Sequence, residues 1–159
     1  ILISYLNDSR SGERTPVLDD VFVPSVSFGN FLNGLKTLER TLDLELPLYG
    51  SFSTSCYTVR PDIDCTTPEG RHKLVDFLKS YSNLVDTCNG SITGNGPEGQ
   101  VKALMMEKSL GVGERQLYAA IKESFDPNNI MNPHVKLGAN PRKIASHLRM
   151  KERGGIITP

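Results

Sequence analysis

The segment 124–138, SFDPNNIMNPHVKLG, gathers side chains that could bind a ligand directly after a helix-like run. It contains two prolines and three asparagines, and an asparagine amide both donates and accepts hydrogen bonds. Prolines and asparagines are also typical of the turn that ends a helix. The residues alone therefore leave two interpretations open, an elaborate helix stop or a turn that is shaped to hold something.

The cysteines and histidines do not form a known metal-site or nucleophile motif. The spacing of the three cysteines, Cys56, Cys65 and Cys88, matches no zinc site. An odd number of cysteines fits a reduced, cytoplasmic protein better than a disulfide scaffold, so we expect isolated thiols. His134 follows the turn directly, but a lone histidine is more often structural than catalytic.

The charge balance of the chain bears on which classes of partner it could bind. The chain of 159 residues carries 18 basic and 18 acidic side chains, so no net charge favours nucleic acid or a membrane surface. A nucleic-acid-binding sheet would need more aromatic side chains than Phe52 and Tyr57. No apolar run approaches the roughly 20 residues that span a bilayer. Because the first residue is Ile1 and not Met, we expect a fragment of a longer protein.

The hydrophobic pattern predicts strands that alternate with two amphipathic helices. The first helix begins near Ser27, and the second begins at Thr67-Pro68 and ends at Asn89-Gly90. Strand-like segments precede, separate and follow these helices: one at 17–24, two at 47–63 that meet near Ser53–Ser55, and one at 91–93. This order predicts an α+β fold, a ferredoxin-like split βαβ antiparallel sheet with helices on one face, plus C-terminal helices.

Three regions are predicted along the chain. Residues 1–16 are expected to form a partial strand and a mobile loop, and residues 17–137 to form the domain itself. The C-terminal helices of this domain are expected at 100–110 and 114–125. Residues 138–159 are expected to form a basic C-terminal tail.

Five stretches together resemble the C-terminal (cap) domain of FAD-linked oxidases, flavoenzymes of the vanillyl-alcohol-oxidase and PCMH superfamily. The similarity covers about residues 17–137, and it is to the set of D-lactate dehydrogenases, glycolate oxidases and D-2-hydroxyglutarate dehydrogenases. The most specific stretch is IKESFDPNNIMNP, in which a helix is followed by Phe-Asp-Pro and then by Asn-Pro. The other stretches are VLDDVFVP, LYGSFSTS, TPEGR and GSITGNGPEG.

The resemblance implies that the turn after the last helix lies beside a flavin. It implies that Asn132 is a cofactor-binding residue that hydrogen-bonds FAD, and that Asp126 fixes the turn through its side chain. No glycine-rich phosphate loop follows a strand in this chain, so FAD would be bound mainly by an N-terminal domain of the same polypeptide. The implied partners are that domain and a small-molecule substrate, and a homodimer is left open.

The metal site of these relatives is missing from the sequence. The relatives carry HGDGNLH and GEHG, whose two outer histidines and glutamate hold a divalent metal near the substrate. The corresponding positions here are Tyr49, Ser55 and Asn95, and Gly96 replaces the histidine of the second motif. We therefore expect no metal at this place.

A polar substrate pocket is expected instead of the metal. Tyr49 is the candidate catalytic residue, because a tyrosine can donate to a substrate oxygen or act as a base, and Tyr57 is the alternative. The candidate substrate-binding residues are Ser53, Ser55, Arg60 and Asn95. Arg60 would pair with a substrate carboxylate, or it would be a surface charge.

Two functions follow from these observations. The first is the substrate-side domain of an FAD-dependent oxidoreductase that oxidises a small hydroxy acid or alcohol by hydride transfer to FAD. The second is a non-catalytic ferredoxin-like binding or regulatory domain derived from that family. The missing metal ligands favour the second function, whereas the intact FDPNNIMNP turn favours the first.

Overall fold

The computed structural model describes residues 20–64, 67–96 and 99–140 of the chain. A single 3-10 turn (Ser25–Ser27) precedes the first helix. The other elements, in chain order, are β1 (Val21–Phe22), α1 (Phe28–Leu42), β2 (Leu48–Ser51), β3 (Cys56–Val59), α2 (Pro68–Thr87), α3 (Gly99–Ser109) and α4 (Val112–Phe125). The predicted α+β class is confirmed by this order. The region predicted at 1–16 and the tail from residue 141 onward lie outside the described residues.

β3 is the central strand of a small antiparallel sheet with the order β1-β3-β2. Val21 lies opposite Tyr57 in one ladder, and Tyr49 lies opposite Thr58 in the other. Ser91 extends the sheet on the other side of β1, where it exchanges two backbone hydrogen bonds with Phe22. The resulting arrangement is the strand order of a split βαβ unit.

The strand predicted at 91–93 is reduced to this single bridge. The N–H of Thr93 donates to the hydroxyl of Ser91 (3.2 Å), and the N–H groups of Asn95 and Gly96 donate to the carboxylate of Asp20. Because side chains occupy these amides, the ladder cannot continue beyond one residue pair.

Helices α1 and α2 cover one face of the sheet. The ring of Phe28, at the start of α1, stacks on Tyr57 of β3 with 4.7 Å between centroids. Phe77 and Tyr81 of α2 stack on each other at 5.3 Å. The core between these helices and the sheet includes the following deeply buried apolar side chains: Val21, Val23, Phe31, Val59, Leu74, Phe77, Tyr81 and Val85.

The predicted start and end of α2 are both confirmed. The hydroxyl of Thr67 accepts a hydrogen bond from the N–H of Gly70 (3.0 Å), and Pro68 occupies the first helical position. At the other end Asn89 takes a left-handed conformation (φ 53°), and the N–H of Gly90 donates to the carbonyl of Val85 (2.9 Å). The two signals in the sequence therefore fix the length of the helix.

The C-terminal helices differ in how they pack. α3 buries Lys102, Ala103 and Met105. Every residue of α4 is exposed except Lys122, which is half-buried. α4 begins at Val112, two residues earlier than predicted, because the break after α3 consists only of Leu110 and Gly111. Within the described part of the chain, no helix is both long and apolar enough to cross a membrane.

Candidate functional site

The turn after α4 is organised around the carboxylate of Asp126. The N–H of Ile130 donates to Oδ1 (2.8 Å), the N–H of Met131 donates to Oδ2 (2.9 Å), and Lys122 Nζ pairs with Oδ2. The carbonyl of Asp126 also accepts from the N–H of Asn129 (2.9 Å). One residue thus joins the start of the turn to its end, which confirms the role expected of Asp126.

These contacts keep Asp126 ionised. The hydrogen bond from Lys122 is the main cause that lowers the pKa of the carboxyl below its usual value. The amides of Ile130 and Met131 act in the same direction, whereas removal from water opposes them. The turn therefore retains a negative charge at its centre throughout the neutral pH range.

The backbone of the turn enters the left-handed region at three residues. The φ angles are 49° at Asn129, 46° at Asn132 and 62° at His134. Asparagine tolerates this conformation better than most residues, because its short polar side chain can bond locally. Asn132 is exposed, and its carbonyl accepts from the N–H of Val135 (3.3 Å). The turn thus presents the Asn132 amide at the surface.

An open groove of about 1130 Å³ lies between the turn, α4 and the end of α3. Its lining includes Asn132 and His134. It also includes apolar side chains that are about half exposed or more: Tyr118, Ile121, Phe125 and Met131. Apolar walls with a few polar groups suit a ligand or a partner surface.

Tyr49 lies on the face of the sheet that points away from α1 and α2. Its ladder partner is Thr58, whereas Tyr57 and Val59 point towards the helices, since successive residues of a strand alternate in direction. Tyr49 is half-buried. Alternation places Arg60 on the face of Tyr49 and Thr58.

Arg60 is not the surface charge that one interpretation expected. It is 9% exposed. Its backbone N–H donates to the carbonyl of Pro47 (3.3 Å), which continues the β2–β3 pairing. A buried guanidinium is stable only where it has polar partners. The assignment of Arg60 to a substrate carboxylate stays a prediction.

Ser53 and Ser55 lie in the turn that connects β2 with β3. The hydroxyls of Ser51 and Ser53 are 2.8 Å apart, and Ser53 is exposed. Ser55 adopts a positive φ of 54°, and its carbonyl accepts from the N–H of Val23 (2.9 Å). The turn is therefore anchored to the residue that follows β1.

The loop that carries Asn95 is wrapped around Asp20. The N–H groups of Asn95 and Gly96 donate to the Asp20 carboxylate. Lys102 Nζ donates to the Asp20 carbonyl (2.6 Å) and lies 3.7 Å from Oδ1. A Cβ atom on Gly94 would lie 3.1 Å from Cys56 Sγ, so the loop lies beside the first residue of β3.

The structure thus distributes the predicted residues between two surfaces. Ser53, Ser55 and Asn95 lie near one end of the sheet, and Tyr49 and Arg60 lie further along it. Asn132 lines the groove beside α4, and none of the other five residues contributes to the lining of that groove. The roles of all six residues stay predictions.

Tyr57, the alternative to Tyr49, is a core residue. It is 4% exposed, and within the described part of the chain its hydroxyl has no hydrogen-bond partner. Burial raises the pKa of Tyr57, so its phenolate form, the form that could accept a proton, is harder to reach. Tyr49 is therefore the better placed of the two tyrosines.

The histidines and acidic residues that the structure describes do not gather in one place. Among residues 20–64, 67–96 and 99–140, no three His, Cys, Asp or Glu side chains come together where a metal ion could be held. His72 Nδ1 is 2.9 Å from the Pro68 carbonyl of its own helix, and His134 is exposed in the turn.

Sequence reasoning missed three charged residues that position these segments. Lys122 stands four residues before Asp126 in the last turn of a helix, and this spacing is a known signal for an ion pair. Asp20 and Lys102 are separated by 82 residues, and no local pattern marks such a pair. Only the fold brings their elements together.

Comparison with known families gives one match over most of the chain. The model of the family described as FAD linked oxidases, C-terminal domain, matches residues 6–135. The matched span includes the sheet, all four helices and the turn up to Val135. It therefore contains the sheet surface and the lining of the groove as far as Val135.

Two curated relatives are similar over most of the chain. It is 29% identical to a D-lactate dehydrogenase of Anaerostipes hadrus over 124 residues, which are 75% of this chain and 26% of that protein. It is 24% identical to the glycolate oxidase subunit GlcD of Bacillus subtilis (strain 168) over 133 residues, 81% of this chain and 27% of that protein. The chain thus spans about a quarter of the length of these relatives.

Proposed function

Because the chain belongs to the FAD-linked oxidases, as their C-terminal domain, we propose that it is the substrate-side domain of an FAD-dependent oxidoreductase. The substrate is a small hydroxy acid or alcohol, and the metal site of the relatives is not used. The observation that carries the proposal is the intact turn after α4, built on Asp126 and placed beside an apolar groove. A domain without a flavin partner would have little need of this turn.

The residues of the turn fit the edge of a flavin ring. Asn132 supplies an amide at the surface, and Ile121, Phe125 and Met131 supply apolar side chains to the same groove. A ring with polar edges and apolar faces needs both kinds of group. When bound, FAD accepts a hydride from the substrate. An N-terminal domain of the same polypeptide would provide most of its contacts.

The sheet-side residues would bind and orient the substrate. Tyr49 would donate a hydrogen bond to the reacting oxygen or accept its proton, and Arg60 would pair with a carboxylate. Ser53, Ser55 and Asn95 would supply further polar contacts in place of the metal ligands.

An odd number of cysteines supports the cytoplasm as the location of the protein. Whether it forms a homodimer can be measured by light scattering.

A second candidate is a non-catalytic binding or regulatory domain. It is favoured by one observation: Tyr49, Ser55 and Asn95 stand where the relatives' motifs carry metal ligands. This candidate predicts that the whole protein neither binds FAD nor reacts with a hydroxy acid.

The test uses the whole protein that contains this chain, expressed from its complete gene. We expect it to purify with bound flavin, and anaerobic addition of D-lactate or glycolate, or of a related hydroxy acid or alcohol, to bleach the flavin absorbance. Tyr49→Phe should slow the bleaching roughly 100-fold. Tyr57→Phe is the matched control, because it removes a buried hydroxyl from the core and should leave the rate unchanged. A protein without flavin would contradict the proposal.

A further inference from the structure

Lys122 connects the two ends of the turn that carries Asn132. Its ammonium group donates both to Asp126 Oδ2, at the start of the turn, and to the carbonyl of Met131, directly before Asn132. The side chain of Asp126 is 5% exposed and that of Lys122 is 33% exposed. The contact is therefore partly shielded from water, where charge-assisted hydrogen bonds are stronger than at an open surface.

The ammonium group separates two oxygens that would otherwise repel each other. Asp126 Oδ2 carries a negative charge, and the Met131 carbonyl oxygen carries a partial one. Both accept hydrogen bonds from the same nitrogen, and the N–H of Met131 also donates to Oδ2. Without the cation, the Met131 carbonyl would face an anion with no donor between them. The hydrogen bonds that the N–H groups of Ile130 and Met131 donate to Asp126 would then be weaker.

The contact of Lys122 with the Met131 carbonyl acts on the backbone that leads into Asn132. The carbonyl of Met131 and the N–H of Asn132 belong to one peptide unit, which is planar. A contact that fixes the carbonyl therefore also fixes the orientation of the Asn132 N–H. The φ angle of 46° at Asn132 is costly for most residues, so it persists where neighbouring contacts hold it.

We propose that Lys122 is the positioning residue of Asn132. It holds the peptide unit before Asn132 against the Asp126 carboxylate, and so directs the Asn132 amide into the groove. The consequence for a flavin rests on the proposed function, whereas the effect on the turn does not. Lys122 itself is not assigned any contact with substrate or cofactor.

The test measures hydrogen–deuterium exchange of the whole protein at residue resolution. In Lys122→Met, we expect the amides of Ile130 and Met131 to exchange roughly tenfold faster than in the wild type, because their acceptor is no longer held in place. Lys122→Arg retains the charge and the donors, and its exchange should stay within about twofold of the wild type.

The matched control is Lys108→Met, which removes an exposed lysine from the last turn of α3. It should leave the exchange of Ile130 and Met131 unchanged. The proposal is overturned if Lys122→Met exchanges like the wild type, if Lys122→Arg exchanges as fast as Lys122→Met, or if Lys108→Met has the same effect. The first result would show that the turn does not depend on Lys122, the second that a charged donor at position 122 is not sufficient, and the third that the loss of any nearby lysine has the same effect.

A second measurement separates this proposal from the proposed function. Asn132→Ala should shift the flavin absorbance maximum of the loaded protein, and Lys122→Met should shift it in the same direction. If Asn132→Ala leaves the spectrum unchanged, the flavin contact fails, and the exchange data alone still decide the role of Lys122. If Asn132→Ala shifts the spectrum and Lys122→Met does not, Lys122 does not position Asn132.

Discussion

Gly34 of α1 lies directly against Leu84 of α2. A Cβ atom built on Gly34 would lie 2.2 Å from Leu84 Cδ1, whereas one built on Gly29, in the same helix, would meet no atom within 4 Å. The glycine at position 34 therefore allows the two helices to approach each other. Its cost in helix propensity, about 1 kcal/mol relative to alanine, is offset by this contact.

The two glycines should respond differently to the same substitution. Gly34→Ala forces the end of the half-buried Leu84 side chain to move, which offsets the gain in helix propensity, so we expect it to be about 1–2 kcal/mol less favourable than Gly29→Ala. Gly29→Ala adds a good helix former in open space and should stabilise it by about 0.5–1 kcal/mol. Urea unfolding of the two variants measures both changes. Equal effects would mean that the crossing of α1 and α2 does not depend on a missing side chain.

Thr67→Ala should destabilise the domain by about 1 kcal/mol, because the N–H of Gly70 loses its side-chain acceptor at the start of α2. Thr67→Ser keeps the acceptor and should be nearly neutral. Thr87→Ala, in the last turn of the same helix, removes only an exposed bond to the Asn83 carbonyl and should stay within about 0.5 kcal/mol of the wild type. Thermal unfolding monitored by circular dichroism compares the three variants.

Lys102→Met should destabilise the fold by roughly 2–3 kcal/mol, because it removes the donor beneath the Asp20 carbonyl and leaves the carboxylate without its cation. The side chain of Lys102 is 1% exposed, so water cannot replace the lost contact. Lys108→Met on the same helix is exposed and should change stability by less than about 0.5 kcal/mol. Denaturant titration distinguishes the buried lysine from the exposed one.

The Asp126 turn should lose its structure only in acid. Its folded-state pKa is lowered, so the stabilisation is fully present above the unfolded value of about 3.9 and disappears as the pH falls through the lower folded value. Opening of the turn, taken as the exchange rate of the Ile130 and Met131 amides divided by the intrinsic rate, should be constant from pH 8 to about pH 5. It should rise only below the usual aspartate range.

Asp126→Asn is the matched variant for this pH dependence. It has no carboxylate to titrate, so its turn should be more open at neutral pH and should show no further opening in acid. An opening in the wild type that changes well above the usual aspartate range would contradict the prediction.

The parts of the fold that local patterns determine were predicted well. The cap at Thr67, the end of α2 at Asn89-Gly90 and the split βαβ order all follow from short-range signals. The strand at 91–93 was wrong in extent, since the amide of Thr93 donates to the hydroxyl of Ser91 and the loop that follows turns around Asp20, more than 70 residues away. No window of neighbouring residues contains the contact with Asp20.

The candidate site likewise contains some features that a short segment predicts and others that depend on the whole fold. The role of Asp126 followed from the family resemblance of one short segment, whereas the buried position of Arg60 was left open because burial depends on the whole sheet. The pair of Lys122 with Asp126 was readable from its spacing and was missed. The pair of Asp20 with Lys102 was not readable, because only the fold brings β1 and α3 together.

The exposed position of α4 has a consequence for how this chain melts. A helix of 14 residues with almost no buried side chain is marginal in water by itself, while the sandwich of α1, α2 and the sheet has its own core. Gentle heating should unwind α4 first, with loss of far-ultraviolet ellipticity before the core tyrosines change their environment. A single transition temperature for the 159-residue chain would therefore describe the sandwich and not the helix beside the groove.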